Sequence, residues 1–171
     1  MPVRTARIED VAEIAEIHVR SWQAAYLGLI PQSYLDSLTP AQRVPGWTRT
    51  IKDGDASRGA TLVATDDRNR VVGFAHVQGS RDDDCATVGE VWAIYLEPAA
   101  WGTGAGRALM TAALGRLTEL GYRHATLWVL DGNARARRFY EAAGFHPDDA
   151  VKDDDRPGFA LREVRYRKEL A

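Results

Sequence analysis

The residues whose types and spacing could do chemistry begin with Trp101-Gly102-Thr103-Gly104-Ala105-Gly106-Arg107. Glycines at alternate positions let the backbone adopt left-handed angles and approach a ligand closely. The segment that follows reads as a helix, so this turn stands at a helix start. There the first N–H groups lack intrahelical partners and the helix dipole presents its positive end. The combination suits a phosphate or pyrophosphate, and it equally suits a plain tight turn. Two other phosphate loops are excluded by the same residues. A Walker A loop ends in Gly-Lys-Ser/Thr, which is absent. A dinucleotide fingerprint wants glycine where Arg107 stands and a position near the chain start.

Such a turn needs a strand before it and a helix after it. Gly89 to Leu96 is a β-rich run stopped by Pro98. Leu109, Ala113, Leu117 and Leu120 then lie on one helix face, which Gly121 ends. Ala125 to Leu130 is a strand and Asp131-Gly132 a turn. Asn133 can cap a helix carrying Ala136, Phe139, Tyr140 and Ala143, ended by Gly144. Phe145 begins a short strand, and Arg162 to Lys168 is the last one. Upstream, Val3 to Ala6 suits a first strand. Asp10 with Glu13 suggests a capping box before a helix through Ile14, His18, Trp22 and Ala25. Pro31 to Trp47 reads as short helical pieces broken by Pro40, Pro45 and Gly46. Thr61–Thr65 and Val71–Val77 make a hairpin about Asp66–Asn69. This order predicts an α/β fold: a mixed, mostly antiparallel sheet of about seven strands with helices on both faces. One domain over residues 1–171 is expected, since no linker-like stretch divides the chain.

Composition narrows the class of function. The chain has 171 residues, 45% of them hydrophobic, with a formal net charge of -2. The acidic balance argues against a nucleic-acid partner, which leaves a strongly basic footprint. No apolar run approaches a membrane span or a signal peptide, so no membrane partner is expected. The single cysteine, Cys85, forbids an intramolecular disulfide and fits a cytoplasmic location. It follows a run of aspartates, which disfavours its thiolate and argues against a nucleophilic role. His18, His76, His124 and His146 are too scattered for a metal site. The acidic clusters at 66–67, 82–84, 148–149 and 153–155 read as solvated loops, or, for some of them, as groups that attract a cationic ligand.

With its flanks, the glycine turn becomes more specific. Tyr95-Leu96-Glu97-Pro98, then Trp101 to Gly106, then Arg107-Ala108-Leu109-Met110 resembles the coenzyme A signature of the GNAT acetyltransferase superfamily. Gly104 and Gly106 match its two small positions, and Trp101 stands where Gln or Arg is usual. A second block, Asn133-x-x-Ala136-x-x-Phe139-Tyr140-x-x-x-Gly144-Phe145, resembles a second family motif at the expected distance. The opening segment through Trp22 and Tyr26 and the closing Glu163-Val164-Arg165-Tyr166 are also similar to family members. The likeness thus covers nearly the whole chain.

The resemblance implies transfer of an acetyl group from acetyl-CoA to a primary amine by direct attack, without a metal. The pantetheine arm would lie between strands ending at Leu96 and Leu130 and pair with the backbone of Tyr95 and Leu96. Trp101, Gly102, Thr103, Gly104, Ala105, Gly106 and Arg107 would cradle the phosphates. Asn133 would hold the pantetheine or cap its helix, and Arg137, with Arg107, Arg135 and Arg138 as further candidates, would reach the phosphates through its forked donors. Acetyl transfer needs a deprotonated amine and a proton for the leaving thiolate. Glu90 is the candidate base, acting directly or through water, and Tyr140 the candidate acid. Trp22, Tyr26 and Trp92 are candidate walls of the amine pocket. A small cationic metabolite is the expected acceptor, with a protein lysine or N-terminus as the alternative. A non-catalytic coenzyme A-binding module is the reading of another class. Homodimers are common in the family, and the sequence leaves oligomeric state open.

Overall fold

The computed structural model describes residues 1–54, 58–82, 87–156 and 158–171. Its strands are β1 (Val3–Thr5), β2 (Ala60–Thr65), β3 (Val71–Gly79), β4 (Val88–Leu96), β5 (His124–Leu130), β6 (His146–Arg156) and β7 (Phe159–Glu169). Its helices are α1 (Val11–Ala25), α2 (Gln32–Ser37), α3 (Pro40–Asp53), α4 (Ala105–Glu119) and α5 (Ala134–Ala142). The strands form one sheet in the order β1-β2-β3-β4-β5-β7-β6, antiparallel throughout except for the β4–β5 pair. Both the predicted order of elements and the α/β class are observed.

Alternation along the strands divides the core into two layers. On one face, Ala75, Val77, Val91 and Leu127 meet Leu109, Ala113 and Leu117 of α4. On the other, Val63, Phe74 and Ala93 meet Ile14 and Ile17 of α1 and Trp47 of α3. A third cluster joins Val19, Ile30, Leu35 and Leu38 to Leu130 and Leu161 at the end of β5 and the start of β7.

β4 and β5 pair only from Val88↔His124 to Glu90↔Thr126. Beyond Glu90 the strands part: β4 stays with β3 as far as Leu96, and β5 stays with β7 as far as Leu130. A bulge opposite His76/Val77 makes Trp92 the extra residue of β4. Such a bulge bends its strand and re-aims the residues after it. The result is a V-shaped gap in the sheet whose apex is Glu90.

Several sequence expectations need correction. Asp10 does not cap α1 with its side chain. Its carboxylate instead accepts from the Arg7 backbone N–H at 2.7 Å and from both Arg4 terminal nitrogens at 2.7 and 2.8 Å. Residues 40–53 are one continuous helix, with Pro40 in its first turn and Thr39 and Gln42 closing its N-terminus. Pro45 and Gly46 lie on its exposed side and interrupt nothing, because burial of Trp47 and packing of Val44 and Ile51 hold the helix down. β6 is eleven residues long, not short. Its aspartates disguised it as a loop, yet as an edge strand it pairs only with β7, and charged side chains suit a sheet edge.

The acidic clusters are also more than solvated loops. Asp66 organises the β2–β3 turn by accepting from the N–H groups of Arg68 and Arg70, each at 2.9 Å. Asp82 accepts from Trp128 Nε1 and Arg165, and Asp148 from Arg165. Cys85, Asp83 and Asp84 lie outside the described residues.

Candidate active site

The glycine turn meets the open end of the V. Gly102 and Gly104 have φ of +77° and +92°, angles that L side chains rarely adopt. A Cβ at either would meet nothing within 4 Å, so the space beside this backbone is open. Gly106 serves packing instead, since a Cβ there would sit 3.3 Å from the Phe139 ring of α5. The first bond of α4 runs from Ala108 N–H to Gly104 O, at 3.0 Å. The N–H groups of Ala105, Gly106 and Arg107 precede it, and Gly104 brings no capping side chain. These donors require an acceptor from outside the helix, the arrangement that binds phosphates.

The edge of β4 faces the gap with backbone that no strand pairs, although Leu96 O accepts from Trp101 Nε1–H at 3.2 Å. Glu97 N–H donates to Val72 O at 2.9 Å, which makes Leu96 and Gly73 a non-hydrogen-bonded pair. By antiparallel alternation, the N–H and C=O of Leu96 and Ile94 point away from β3 and into the gap, whereas those of Tyr95 pair with Phe74. Of the two residues expected to offer backbone there, only Leu96 does. Tyr95 contributes its side chain.

Trp101 acts through its ring, although Gln or Arg was the expected type. Its Nε1–H donates to Leu96 O at 3.2 Å, tying the turn to the end of β4. The Arg135 guanidinium from α5 lies over its ring, 3.3 Å from the centroid. A cation therefore stands beside the α4 N-terminus after all, supplied by another helix. Arg107 and Arg138 are exposed. Arg137 is committed elsewhere: it donates to Asp131 O and Oδ1 at 3.1 and 2.9 Å and to Tyr166 Oη at 3.0 Å. Two residues apart on a helix, Arg135 and Arg137 necessarily point in different directions. Asn133 caps α5, its side-chain oxygen accepting from Ala136 N–H at 3.1 Å.

Tyr140 packs its ring against Phe139, Phe145 and Tyr166. Its hydroxyl has no hydrogen-bond partner among the described residues. Burial pushes the phenol far above its ordinary value, with the neighbouring Tyr95 adding to the effect, so Tyr140 keeps its proton near neutral pH. Tyr26 and Tyr95 are raised likewise, burial again being the main cause. Tyr26 at the C-terminal cap of α1, Tyr95 on β4 and Tyr140 on α5 thus lie near one another. Trp22 joins them, edge-on to Tyr26 at 4.9 Å and to Tyr95 at 6.5 Å. His18 stacks on Tyr95 at 5.1 Å and accepts from Trp47 Nε1–H at 3.0 Å.

Glu90 and Trp92 stand further along β4, at the apex of the V. Glu90 is 2% exposed, so it is not a solvated strand-start residue. Arg81 Nη2 and Nε donate to its two oxygens at 2.7 and 3.1 Å. Oε2 also accepts from the Arg81 backbone N–H at 3.4 Å, so Oε1 is the oxygen that keeps a second acceptor site. Trp92 is 40% exposed and packs on Trp47 and His76, with the Arg81 guanidinium 5.5 Å from its ring centroid. The structure thus separates the three expected pocket aromatics: Trp22 and Tyr26 beside Tyr95, Trp92 beside Glu90.

Sequence reasoning missed Arg81, Arg43 and the part played by Glu163. Arg43, on α3, lies 5.7 Å from the Trp22 ring centroid, and Glu163, on β7, acts on the phenols of Tyr26 and Tyr95. No local pattern marks any of them, because tertiary packing alone brings them to the cleft. Among the described residues no group of three His, Cys, Asp or Glu side chains could hold a metal ion. Nor is any described helix long and apolar enough to cross a membrane.

Comparison with known proteins bears on this arrangement. The family model described as acetyltransferase (GNAT) family matches residues 11–145. An uncharacterised N-acetyltransferase of Bacillus subtilis strain 168, YuaI, is 34% identical over 164 residues, covering 95% of this chain and 89% of that protein. A mycothiol acetyltransferase of Propionibacterium freudenreichii is 39% identical over 84 residues, covering 49% of this chain and 27% of that one. Among solved structures, the PaiA N-acetyltransferase of Thermoplasma acidophilum in complex with coenzyme A superposes with a TM-score of 0.77 at 22% identity, covering 98% of each chain. A ribosomal-protein-alanine N-acetyltransferase of Brucella melitensis gives 0.79 at 18% identity, covering 99% of this chain and 100% of that one. The resemblance read from the two sequence blocks is borne out, and the chain belongs to the GNAT family of acetyltransferases.

Proposed function

We propose that this enzyme transfers the acetyl group of acetyl-CoA to the primary amine of a small metabolite that is cationic at that amine, by direct attack. The observation that carries the reading is the joint placement of the open β4–β5 gap, the donor-rich turn at the head of α4 and the protonated, unpartnered Tyr140. The N–H groups of Ala105 to Arg107 would hold the phosphates, with Arg135 beside them on Trp101. The backbone of Ile94 and Leu96 would take the pantetheine arm like a neighbouring strand. Bound acetyl-CoA supplies the activated acyl thioester.

The protein's own groups manage the protons. Tyr140 holds a proton at Oη, and its Oη–H can donate to the departing sulfur as the carbon–sulfur bond breaks and the carbon–nitrogen bond forms. An alkylammonium has a pKa near 10, so the amine must lose a proton before it attacks. Glu90 at the apex is our assignment for the acceptor of that proton. Direct contact is closed by its burial and by Arg81, so the transfer runs through water. Trp22 and Tyr26 form one wall of the amine pocket and Trp92 stands at its far end.

The test is thiol release from acetyl-CoA over a panel of polyamines, amino-sugars, amino acids and peptides. Release that depends on the amine supports the reading. Tyr140→Phe should lower turnover by about 100-fold or more while leaving the affinity for coenzyme A unchanged, as removal of a general acid does. Unchanged turnover would remove Tyr140 from the role.

A further inference from the structure

Among the described residues, three buried side-chain nitrogens have no hydrogen-bond partner: Trp22 Nε1, Arg43 Nε and His124 Nδ1. Two of the three share one place. The Arg43 guanidinium lies 5.7 Å from the centroid of the Trp22 ring, reaching across from α3 to α1. The Tyr95 phenol lies close enough to feel the indole N–H, but not in hydrogen-bonding geometry. Arg43, half-buried, has no ion-pair partner among the described residues.

Both orphaned groups are donors and neither can accept. Buried donors without acceptors are uncommon and destabilising, and a buried guanidinium nitrogen is the more demanding case. Whatever completes this corner must therefore bring acceptor atoms. Its location makes the matter functional. Trp22 packs on Tyr26 and Tyr95, the aromatic side chains gathered at the open end of the V. Glu163 of β7, which acts on the phenols of Tyr26 and Tyr95 and is paired with Lys152 at 3.3 Å, is the nearby acidic group, and Arg43 of α3 the nearby cation.

We propose that the acceptor carries a carboxylate alongside its primary amine, and that Arg43 and the Trp22 indole N–H receive that oxyanion. The inference rests on the transferase reading above and narrows it. Arg43 discriminates as well as attracts. A polyamine would place a second cation beside a guanidinium that has no counter-ion, which selects against it. An amino acid or a near relative satisfies both poles.

The experiment compares α-amino acids with their primary amides and with the corresponding decarboxylated amines, by thiol release from acetyl-CoA with the full chain. The acids should exceed the amides by about 10- to 100-fold in kcat/KM, the range set by one charged hydrogen-bonded contact. Arg43→Met, which keeps the apolar stem, should bring the two classes together while leaving KM for acetyl-CoA unchanged. Amides used as well as acids, or a preference that survives in Arg43→Met, would overturn the proposal. A second readout is independent of turnover. In chain labelled with 15N-arginine, the Arg43 Nε–H resonance, assigned by its loss in Arg43→Met, should move on titration with N-acetylglycine and not with N-acetylglycinamide. No movement with either overturns the oxyanion site. Movement with the carboxylate, but no amine-dependent thiol release from any acceptor, would uphold the site and sink the transferase reading instead.

Discussion

Replacing Trp101 separates what its ring does from what the family's usual polar side chain would do. The ring carries the Arg135 guanidinium at 3.3 Å and ties Leu96 O at 3.2 Å. Arg135 is exposed on its other side, so the stack itself is worth about 1 kcal/mol, and the indole N–H bond contributes about as much again. Trp101→Ala does not remove the cation. It frees Arg135 to explore rotamers, and fixing such a side chain on binding costs about 0.5–1.5 kcal/mol. Coenzyme A affinity should therefore fall by about 2- to 10-fold in Trp101→Ala. In Arg135→Ala, which removes a charge-assisted contact outright, it should fall by about 10- to 100-fold. Trp101→Phe keeps an aromatic face and should stay near the wild type. Calorimetric titration with coenzyme A gives the affinities. A parallel assay with S-acetylpantetheine, which lacks the nucleotide phosphates, tests the assignment. All three variants should use that short donor about as well as the wild type does. The reasoning is refuted if Arg135→Ala binds coenzyme A normally, or if the variants lose as much with the short donor as with the long one.

Other outcomes follow from the same geometry. Glu90→Gln should reduce turnover by about 100-fold, most severely at low pH where the amine is hardest to deprotonate, as loss of a general base does. An equal loss at every pH would make Glu90 a positioning residue, read from kcat profiles of both proteins. His18 is held neutral by burial, helped by the charge of Arg43, its pKa lowered to about 3 from an ordinary 6.5. Between those values the unfolded chain binds a proton that the folded one refuses. The stability that His18 contributes is thus complete above pH 6.5 and is lost as pH falls towards 3. The loss is at most about 1.4 kcal/mol per pH unit. His18→Asn, which can still accept from Trp47 Nε1–H, should flatten the slope of Tm against pH between about 6.5 and 4. An undiminished slope would assign it to other groups. Asp10, whose pKa is lowered by its bond with Arg4, gives way only below its ordinary 3.8 and so lies outside that window.

The fold was legible where the chain punctuates itself. Pro98 after β4, Gly121 after α4 and Gly144 after α5 mark ends that coincide closely with those observed. It was not legible where local signals oppose tertiary packing. Pro45 and Gly46 say stop, but the indole of Trp47, buried in the middle of α3, holds that helix together. The aspartates of β6 say loop, but strand β7 needs a neighbour on its outer edge. The site divides in the same way. The turn from Gly102 to Arg107 and Tyr140 could be found because they sit in contiguous blocks of recognisable spacing. Arg135 and Arg137 could not be ranked, since only the positions of Trp101 and Asp131 decide which guanidinium faces the turn. Arg43 and Arg81 carry no local mark at all. The first matters because it faces Trp22 from another helix, the second because it closes over Glu90 from the far end of a hairpin.

The central claim is that acetyl-CoA occupies the gap between β4 and β5 with its phosphates on the head of α4. The most direct measurement is calorimetric titration of the purified chain with acetyl-CoA and with coenzyme A at moderate salt, repeated on Gly104→Val, whose side chain would occupy the open space and strain the left-handed turn. The account predicts micromolar binding of both ligands at one site per chain, and loss of that binding in the variant at unchanged fold by circular dichroism. Absence of binding to the wild type, or undiminished binding to the variant, would contradict it.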